Sequence, residues 1–172
     1  MILGNAIPLR AATPDDIAAI ESLLARCYPV LMAAAYPPSV LDPALPAMLR
    51  ANPALVGSGL FWLYHEDAKI LGCGGISLTT PGSQTTTPGL AHIRHFAVDP
   101  NHQGRGIGTS LFRQASRTAA TLGANRLQAL SSLNAEAFYA AMGLVRIATR
   151  AIAMGPGPAF PVIVMEADLP IA

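Results

Sequence analysis

Short apolar runs bounded by turn residues alternate along this chain with segments in which apolar side chains recur at helical spacing. Such runs are typical of strands, because a strand buries alternate or all side chains over a short length. They predict strands at residues 5–12, 60–66, 69–79, 90–98, 125–132, 144–154 and 161–169. The stretch from 80 to 89 is polar and bounded by Pro and Gly, which predicts a loop.

Helical spacing begins after Thr13, which suits an N-cap, and continues through Ile17, Ile20 and Leu24. Six prolines between residues 28 and 57 predict short helices there instead of one long helix.

A helix is also predicted over residues 107–122, where one apolar stripe ends before Gly123. Asn134 is predicted to cap a short helix over 135–142 that Gly143 ends. The strand, helix and strand between 90 and 131 predict a parallel pair with a right-handed crossover.

Composition narrows the class of protein. A chain of 172 residues with 52% hydrophobic and 12% charged residues is expected to form a single folded domain, here residues 1–172. A net charge of +1 argues against a nucleic-acid partner bound by bulk electrostatics. Cys27 and Cys73 are too few for a disulfide framework or a zinc site, although one bridge between them stays open.

The start of the chain shows no signal peptide, and no apolar run reaches about 18 residues. We therefore expect a soluble cytoplasmic protein with no membrane partner and no bound metal.

The segment VDPNHQGRGIG, residues 98–108, places glycines at 104, 106 and 108 where a helix should start. A nucleotide-binding P-loop would need a lysine after its last glycine, but Thr109 and Ser110 follow here. The dinucleotide fingerprint also fails, because its third glycine is missing. What remains is the property that both motifs share, namely exposed amides at a helix N-terminus, which bind a pyrophosphate.

The stretch AHIRHFAVDPNHQGRGIGTSLF, residues 91–112, resembles the acetyl-CoA signature of the GNAT superfamily of N-acetyltransferases, Gln/Arg-x-x-Gly-x-Gly/Ala. The later NAEAFYAAMGL, residues 134–144, also lies where that family has it. The resemblance implies an α/β (α+β) fold. Its sheet would be mixed, mostly antiparallel and twisted, with six to seven strands, a central parallel pair and about four flanking helices.

The resemblance also implies a binding site for acetyl-CoA as co-substrate. Backbone amides from Gln103 to Thr109 would hold the pyrophosphate of coenzyme A, with charge-assisted contacts from Arg105. The strand before this loop would bind the pantetheine arm and supply an oxyanion donor near Val98, and Asn134 would lie beside the arm. The implied cofactor-binding residues are Phe96, Ala97, Val98, Gln103, Gly104, Arg105, Gly106, Ile107, Gly108, Thr109 and Asn134.

Acyl transfer to an amine needs a neutral nucleophile and a proton for the departing thiolate. Tyr139 occupies the family's general-acid position. Alternatively, its ring only packs beside Phe138 and Met142.

The general base is less defined. Histone acetyltransferases of this family carry a glutamate in the pattern Ala-Glu-Ile, whereas this chain has Ala91-His92-Ile93. His92 is a candidate proton relay, since its ordinary pKa lies near neutral pH. The alternative is a hydrogen-bonded surface histidine. Strand alternation places His92, Arg94 and Phe96 on one face and Ile93, His95 and Ala97 on the other.

Residues 13–60 and the final hairpin, where the family varies most, are apolar and poor in carboxylates. They favour a small, partly apolar amine over a polyamine or a lysine-rich tail. Two other functions stay open: a peptide or protein N-terminal acetyltransferase, and a non-catalytic acyl-CoA-binding regulatory module. The sequence also leaves open whether the chain forms a homodimer.

Overall fold

The structure is a computed structural model, and it describes residues 8–171. The strands are β1 (Leu9–Ala11), β2 (Phe61–Glu66), β3 (Lys69–Ser77), β4 (Leu90–Val98), β5 (Arg126–Ser131), β6 (Val145–Ile152) and β7 (Phe160–Asp168). The helices are α1 (Ile17–Met32), α2 (Pro38–Met48), α3 (Pro53–Val56), α4 (Ile107–Thr121) and α5 (Glu136–Ala141). Part of the first predicted strand, residues 5–7, lies outside the described residues.

All seven strands form one sheet in the order β1-β2-β3-β4-β5-β7-β6. Every neighbouring pair is antiparallel except β4 and β5, which are parallel and joined through α4. This confirms the predicted mixed sheet with one central parallel pair. The described residues form five helices, one more than the four expected.

The parallel pair separates after a short contact. Pairing joins Leu90 with Arg126 and ends where His92 meets Gln128. Beyond that point β4 pairs only with β3, and the rest of β5 pairs only with β7. A gap therefore opens in the middle of the sheet between residues 93–98 of β4 and 129–131 of β5.

An irregularity in β4 reverses the side-chain alternation along this gap. The register against β3 shifts between Cys73 and Gly75, and His95 has a φ of 50°, in the left-handed region. As a result Ile93 and Phe96 both pack in the core under α4, whereas Ala97 packs in the core under α1. The prediction that Phe96 shares a face with His92 and Arg94 was wrong, because a bulge adds a residue to one strand.

Glycines of β3 make room for this arrangement. A Cβ at Gly74 would lie 2.5 Å from the ring of Phe96, and a Cβ at Gly75 would lie 2.6 Å from the carbonyl oxygen of Leu60. Gly74 therefore leaves room for the Phe96 ring against β3, and Gly75 lets the backbone at Leu60 approach β3.

Two local predictions need correction. Helix α1 continues through Pro29 to Met32, because a proline there removes only one hydrogen bond near the helix end. Asn134 does not cap α5. It lies inside a 3₁₀ turn, Leu133–Ala135, that leads into the helix, and Ser132 precedes that turn. Gly143 follows the helix with a φ of 101°, as the prediction of a C-terminal glycine requires.

Candidate active site

The gap between β4 and β5 is the floor of a cleft of about 800 Å³. The cleft runs from the glycine segment at the start of α4, past α5, to a wall formed by α1 and the β6–β7 hairpin. Of the residues predicted from sequence, those lining it are Phe96, Ala97, Val98, Gln103, Gly104, Gly106, Ile107, Gly108, Thr109, Asn134 and Tyr139. Arg105 and His92 do not line it.

The glycine segment presents a row of free amides to one end of the cleft. Gly104 and Gly106 have φ values of 74° and 80°, which side-chain-bearing residues rarely adopt. None of the backbone N–H groups from Gln103 to Thr109 donates to another residue that the structure describes. Seven consecutive free amides at the start of a helix form an anion-binding concavity.

Asp99 holds this segment in place. Its carboxylate accepts hydrogen bonds from the Asn101 N–H at 2.9 Å, from His102 Nδ1 at 3.2 Å and from Arg26 Nε of α1 at 3.3 Å. Burial alone would raise the pKa of Asp99, but these three donors together lower it. The Asp-Pro pair after the strand therefore fixes the turn from which the glycine segment starts, and ties that turn to α1.

Gln103 and Gly108 complete the junction. The Gln103 side chain donates to the Val98 carbonyl oxygen at 2.8 Å, which joins the loop to the end of β4. A Cβ at Gly108 would lie 3.1 Å from the ring of Phe138, so this glycine lets α5 approach the first turn of α4. The three glycines thus serve different purposes: two set backbone angles and one sets helix packing.

Strand β4 turns backbone polar groups toward the middle of the cleft. The Asp99 N–H donates to the Leu71 carbonyl oxygen of β3 at 2.8 Å. Because successive residues of a strand point their polar groups to opposite sides, the N–H of Val98 faces the gap. Further along, the Phe96 carbonyl oxygen accepts from the Tyr28 hydroxyl at 3.3 Å.

Tyr139 of α5 is both a core residue and a wall of the cleft. Its side chain is 6% exposed, and its ring centroid lies 5.2 Å from that of Phe138 and 6.5 Å from that of Phe96. Burial raises the pKa of Tyr139 well above its ordinary value. Burial therefore favours the protonated hydroxyl, as a proton donor requires.

Comparison with known families identifies the family to which this chain belongs. A model of the acetyltransferase (GNAT) family matches residues 17–144, about three quarters of the chain. The chain belongs to the GNAT family. No protein of curated function is similar enough in sequence to match it.

Solved structures agree with this family in fold. A GCN5-related N-acetyltransferase from Rhodopseudomonas palustris is 22% identical, with 98% of this chain and 99% of the other covered at a TM-score of 0.72. The PaiA N-acetyltransferase from Thermoplasma acidophilum, in complex with coenzyme A, is 12% identical. The match covers 95% of this chain and 99% of the other, with a TM-score of 0.69. A mosquito arylalkylamine N-acetyltransferase-like protein is 16% identical over 94% and 99%, with a TM-score of 0.64.

His92, the candidate base of this GNAT protein, lies at the last rung where β4 and β5 pair. It is 2% exposed, and neither ring nitrogen has a hydrogen-bond partner among the described residues. Burial, and then the charge of Arg94, lower the pKa of His92. The alternative of a hydrogen-bonded surface residue is wrong, since the ring is buried. Its catalytic role stays a prediction that the geometry does not support.

Arg105 turns away from the cleft. Its guanidinium forms an ion pair with Glu66 of β2, and both side chains are largely exposed. The predicted charge-assisted contact of this side chain with a pyrophosphate is therefore not prepared in the structure, although the Arg105 N–H remains in the row of free amides.

Sequence reasoning assigned the acceptor to residues 13–60 and the final hairpin, but it did not predict which of their side chains come together with β4 in the far half of the cleft. Tyr28 and Met32 of α1 meet Met154 and Phe160 of the last hairpin there, beside Arg94 and His95 of β4. Burial, and then Arg94, lower the pKa of His95 to about 4. Nothing in the local pattern marks these residues, because elements distant along the chain bring them together. The positive φ of His95 has no sequence signal either.

Neither a bilayer-spanning helix nor a metal cluster occurs in the described part of the chain. Between residues 8 and 171, none of the helices has the length and apolar content that crossing a bilayer requires. No group of three or more His, Cys, Asp and Glu side chains in that range is arranged to hold a metal ion. Cys27 and Cys73 are both free and buried.

Proposed function

We propose that this GNAT protein transfers the acetyl group of acetyl-CoA to the primary amine of a small, partly apolar acceptor, by direct attack in a ternary complex. The observation that carries the proposal is that one continuous cleft brings together three kinds of groups. It has free amides of six residues that line one end, a buried tyrosine in the middle and an apolar wall at the other end. An anion site, a proton donor and a pocket for a second substrate are the parts that acetyl transfer needs.

The residues present suit acetyl-CoA, which supplies the acetyl thioester. The amides from Gln103 to Thr109 suit a pyrophosphate, because each donates a hydrogen bond and α4 adds its positive dipole end. A Cβ added at Gly104 or Gly106 would have no neighbouring atom within 4 Å, so space for the phosphates is open beside them. Val98 and Asn134 line the cleft farther along, and we propose that they contact the pantetheine arm.

The chemistry follows from the same residues. A neutral amine nitrogen forms a bond to the acetyl carbon, the carbon–sulfur bond breaks, and the amine's surplus proton passes to water in the open cleft. Tyr139 donates its hydroxyl proton to the departing sulfur and regains a proton from solvent. An N–H of β4 near Val98 stabilises negative charge on the acetyl oxygen. Burial raises the pKa of this phenol, which keeps it protonated before the step and also makes it a weaker acid toward the thiolate.

The same proposal includes the cellular compartment and the size of the acceptor. Two free, buried cysteines suit a reducing cytoplasm, and the apolar wall suits a small acceptor that diffuses in solution.

The test is thiol release from acetyl-CoA across amines, amino acids, polyamines and peptides, with mass spectrometry of each product. We expect acetylation of a small apolar amine with a kcat/KM at least tenfold above that of any polyamine or peptide. Preferred acetylation of a peptide N-terminus would instead identify an N-terminal acetyltransferase. Tight binding of acetyl-CoA with no acetylated product from any acceptor would identify a binding module.

A further inference from the structure

We propose that Arg94 binds a carboxylate of the acceptor, and that the acceptor is therefore an amino acid with an apolar side chain. This deepens the proposed function and rests on it for the transfer step, but the binding of the carboxylate can be tested separately.

The first observation is the lack of a counter-ion. Arg94 lines the cleft, is half-buried, and makes one hydrogen bond, from Nη1 to Ser77 Oγ at 3.0 Å. No carboxylate among the described residues lies within ion-pair distance of it. The other described arginines are exposed, paired with a carboxylate, or both. A partly desolvated guanidinium without an anion is unfavourable, so an anion is expected from outside the chain.

The second observation is the charge of the surroundings. No Asp or Glu lines the cleft within the described residues. The carboxylate near the paired end of β4 and β5, Glu166, is already engaged by Gln128 at 2.9 Å and Arg126 at 3.4 Å. Arg94 also lowers the pKa of His95, where no carboxylate opposes it, and the pKa of His92, where Glu166 acts in the opposite direction. The site is therefore prepared for negative charge.

The third observation is the distance from the phosphate end. Arg94 lies four residues before Val98, at most about 13 Å along the strand given the bulge at His95, and the free amides begin beyond Val98. The phosphates of acetyl-CoA already have their amides at that far end. The anion at Arg94 must then belong to the second substrate.

The last observation concerns the rest of the acceptor. The cleft that Arg94 lines also carries the apolar side chains of Leu31, Met32, Ile93, Met154 and Val162. Arginine binds a carboxylate through two parallel hydrogen bonds, which orients the bound molecule as well as attracting it. A molecule that offers a carboxylate to Arg94, an apolar side chain to this wall and a primary amine to the acetyl group is an apolar amino acid.

The experiment compares matched acceptors: leucine, leucinamide and isoamylamine, and the corresponding phenylalanine series. Each is measured by kcat/KM for acetylation and, separately, by calorimetric binding to the protein saturated with coenzyme A. The variants are Arg94→Gln, which removes the charge, and Arg94→Lys, which keeps the charge without the fork. Arg50→Gln is the control, because Arg50 is exposed, has no carboxylate partner among the described residues and does not line the cleft.

We expect the wild-type protein to prefer each amino acid over its amide, and Arg94→Gln to weaken amino-acid binding by about 10- to 100-fold while the amide and coenzyme A bind as before. Arg94→Lys should retain part of the preference, and Arg50→Gln all of it. Equal use of leucine and leucinamide by the wild type would overturn the assignment. So would an equal loss for both acceptors in Arg94→Gln, since that indicates a structural role.

The two proposals fail in different ways. If leucine binds in an Arg94-dependent manner but is never acetylated, the carboxylate site stands and the transfer function is wrong. If amines without a carboxylate are acetylated well and amino acids are neither bound nor acetylated, the function stands and the role of Arg94 is wrong.

Discussion

His95 shows how a single half-buried side chain should couple stability to pH. Its pKa is about 4 in the folded protein and near 6.5 in an unfolded chain. Between these values the unfolded state binds more protons, so His95 stabilises the fold fully above pH 6.5 and this stability is lost as the pH falls toward 4. Carboxylates whose pKa is lowered, such as Asp16 at about 2, act mainly below this window.

The corresponding test is His95→Asn, since asparagine tolerates the positive φ at this position. The free energy of unfolding is measured by urea titration at pH 7 and at pH 5. The decrease between the two pH values should be smaller in the variant than in the wild type, by roughly 1–2 kcal/mol. Equal losses in the two proteins would mean that His95 is not held neutral by the fold.

At the same residue scale, the sequence predicted the phosphate end of the cleft better than the acceptor end. The glycine segment and Tyr139 belong to a contiguous signature, so their positions relative to one another follow from local structure. Arg94 was placed on a face with Phe96 because simple alternation was assumed. The bulge at His95 breaks that alternation, and it depends on glycines in the neighbouring strand β3, not on β4 itself.

At the scale of elements, the junction of β4, the glycine segment and α4 should be what binds acetyl-CoA. Gly106 and Gly59 form a matched pair for testing it. Both have a φ of 80° and open space where a Cβ would lie, but only Gly106 lines the cleft. Alanine at either position should destabilise the fold by a similar roughly 1–2 kcal/mol through backbone strain.

Acetyl-CoA at a hundredfold excess over its Kd should stabilise the wild type and Gly59→Ala by about 2.7 kcal/mol, measured as a shift in melting temperature. Gly106→Ala should lose most of this shift, because its methyl group and altered backbone disturb the row of amides. A full shift in Gly106→Ala would place the phosphates elsewhere.

Most elements were predictable because their signals are local, such as Thr13 before the first helical turns and Gly143 after α5. Thr13 caps a short 3₁₀ turn that runs into α1, and not α1 itself. The extent of α1 was underestimated, since tertiary packing of its apolar face outweighs the local effect of Pro29. The prediction that Asn134 caps α5 was wrong, because a 3₁₀ turn precedes this helix and Ser132, two residues before Asn134, is the residue that precedes that turn.

For the whole molecule, the order of elements predicted the parallel pair, because a strand–helix–strand unit closes in only one common way. It did not predict what closes the cleft opposite the phosphates. There the β6–β7 turn packs against α2, where a Cβ at Gly157 would lie 2.5 Å from Pro43. Such contacts join segments more than a hundred residues apart, and no local pattern encodes them.

The central claim is that Tyr139 is the general acid of acetyl transfer in this cleft, and Tyr139→Phe tests it most directly. The variant keeps the ring and its packing but deletes the proton donor. With an acceptor verified by mass spectrometry, kcat should fall by about 10²- to 10⁴-fold, while the Kd for acetyl-CoA and the melting temperature stay nearly unchanged. A variant that turns over at the wild-type rate would contradict the claim that Tyr139 is the acid, and would return this tyrosine to the core alone.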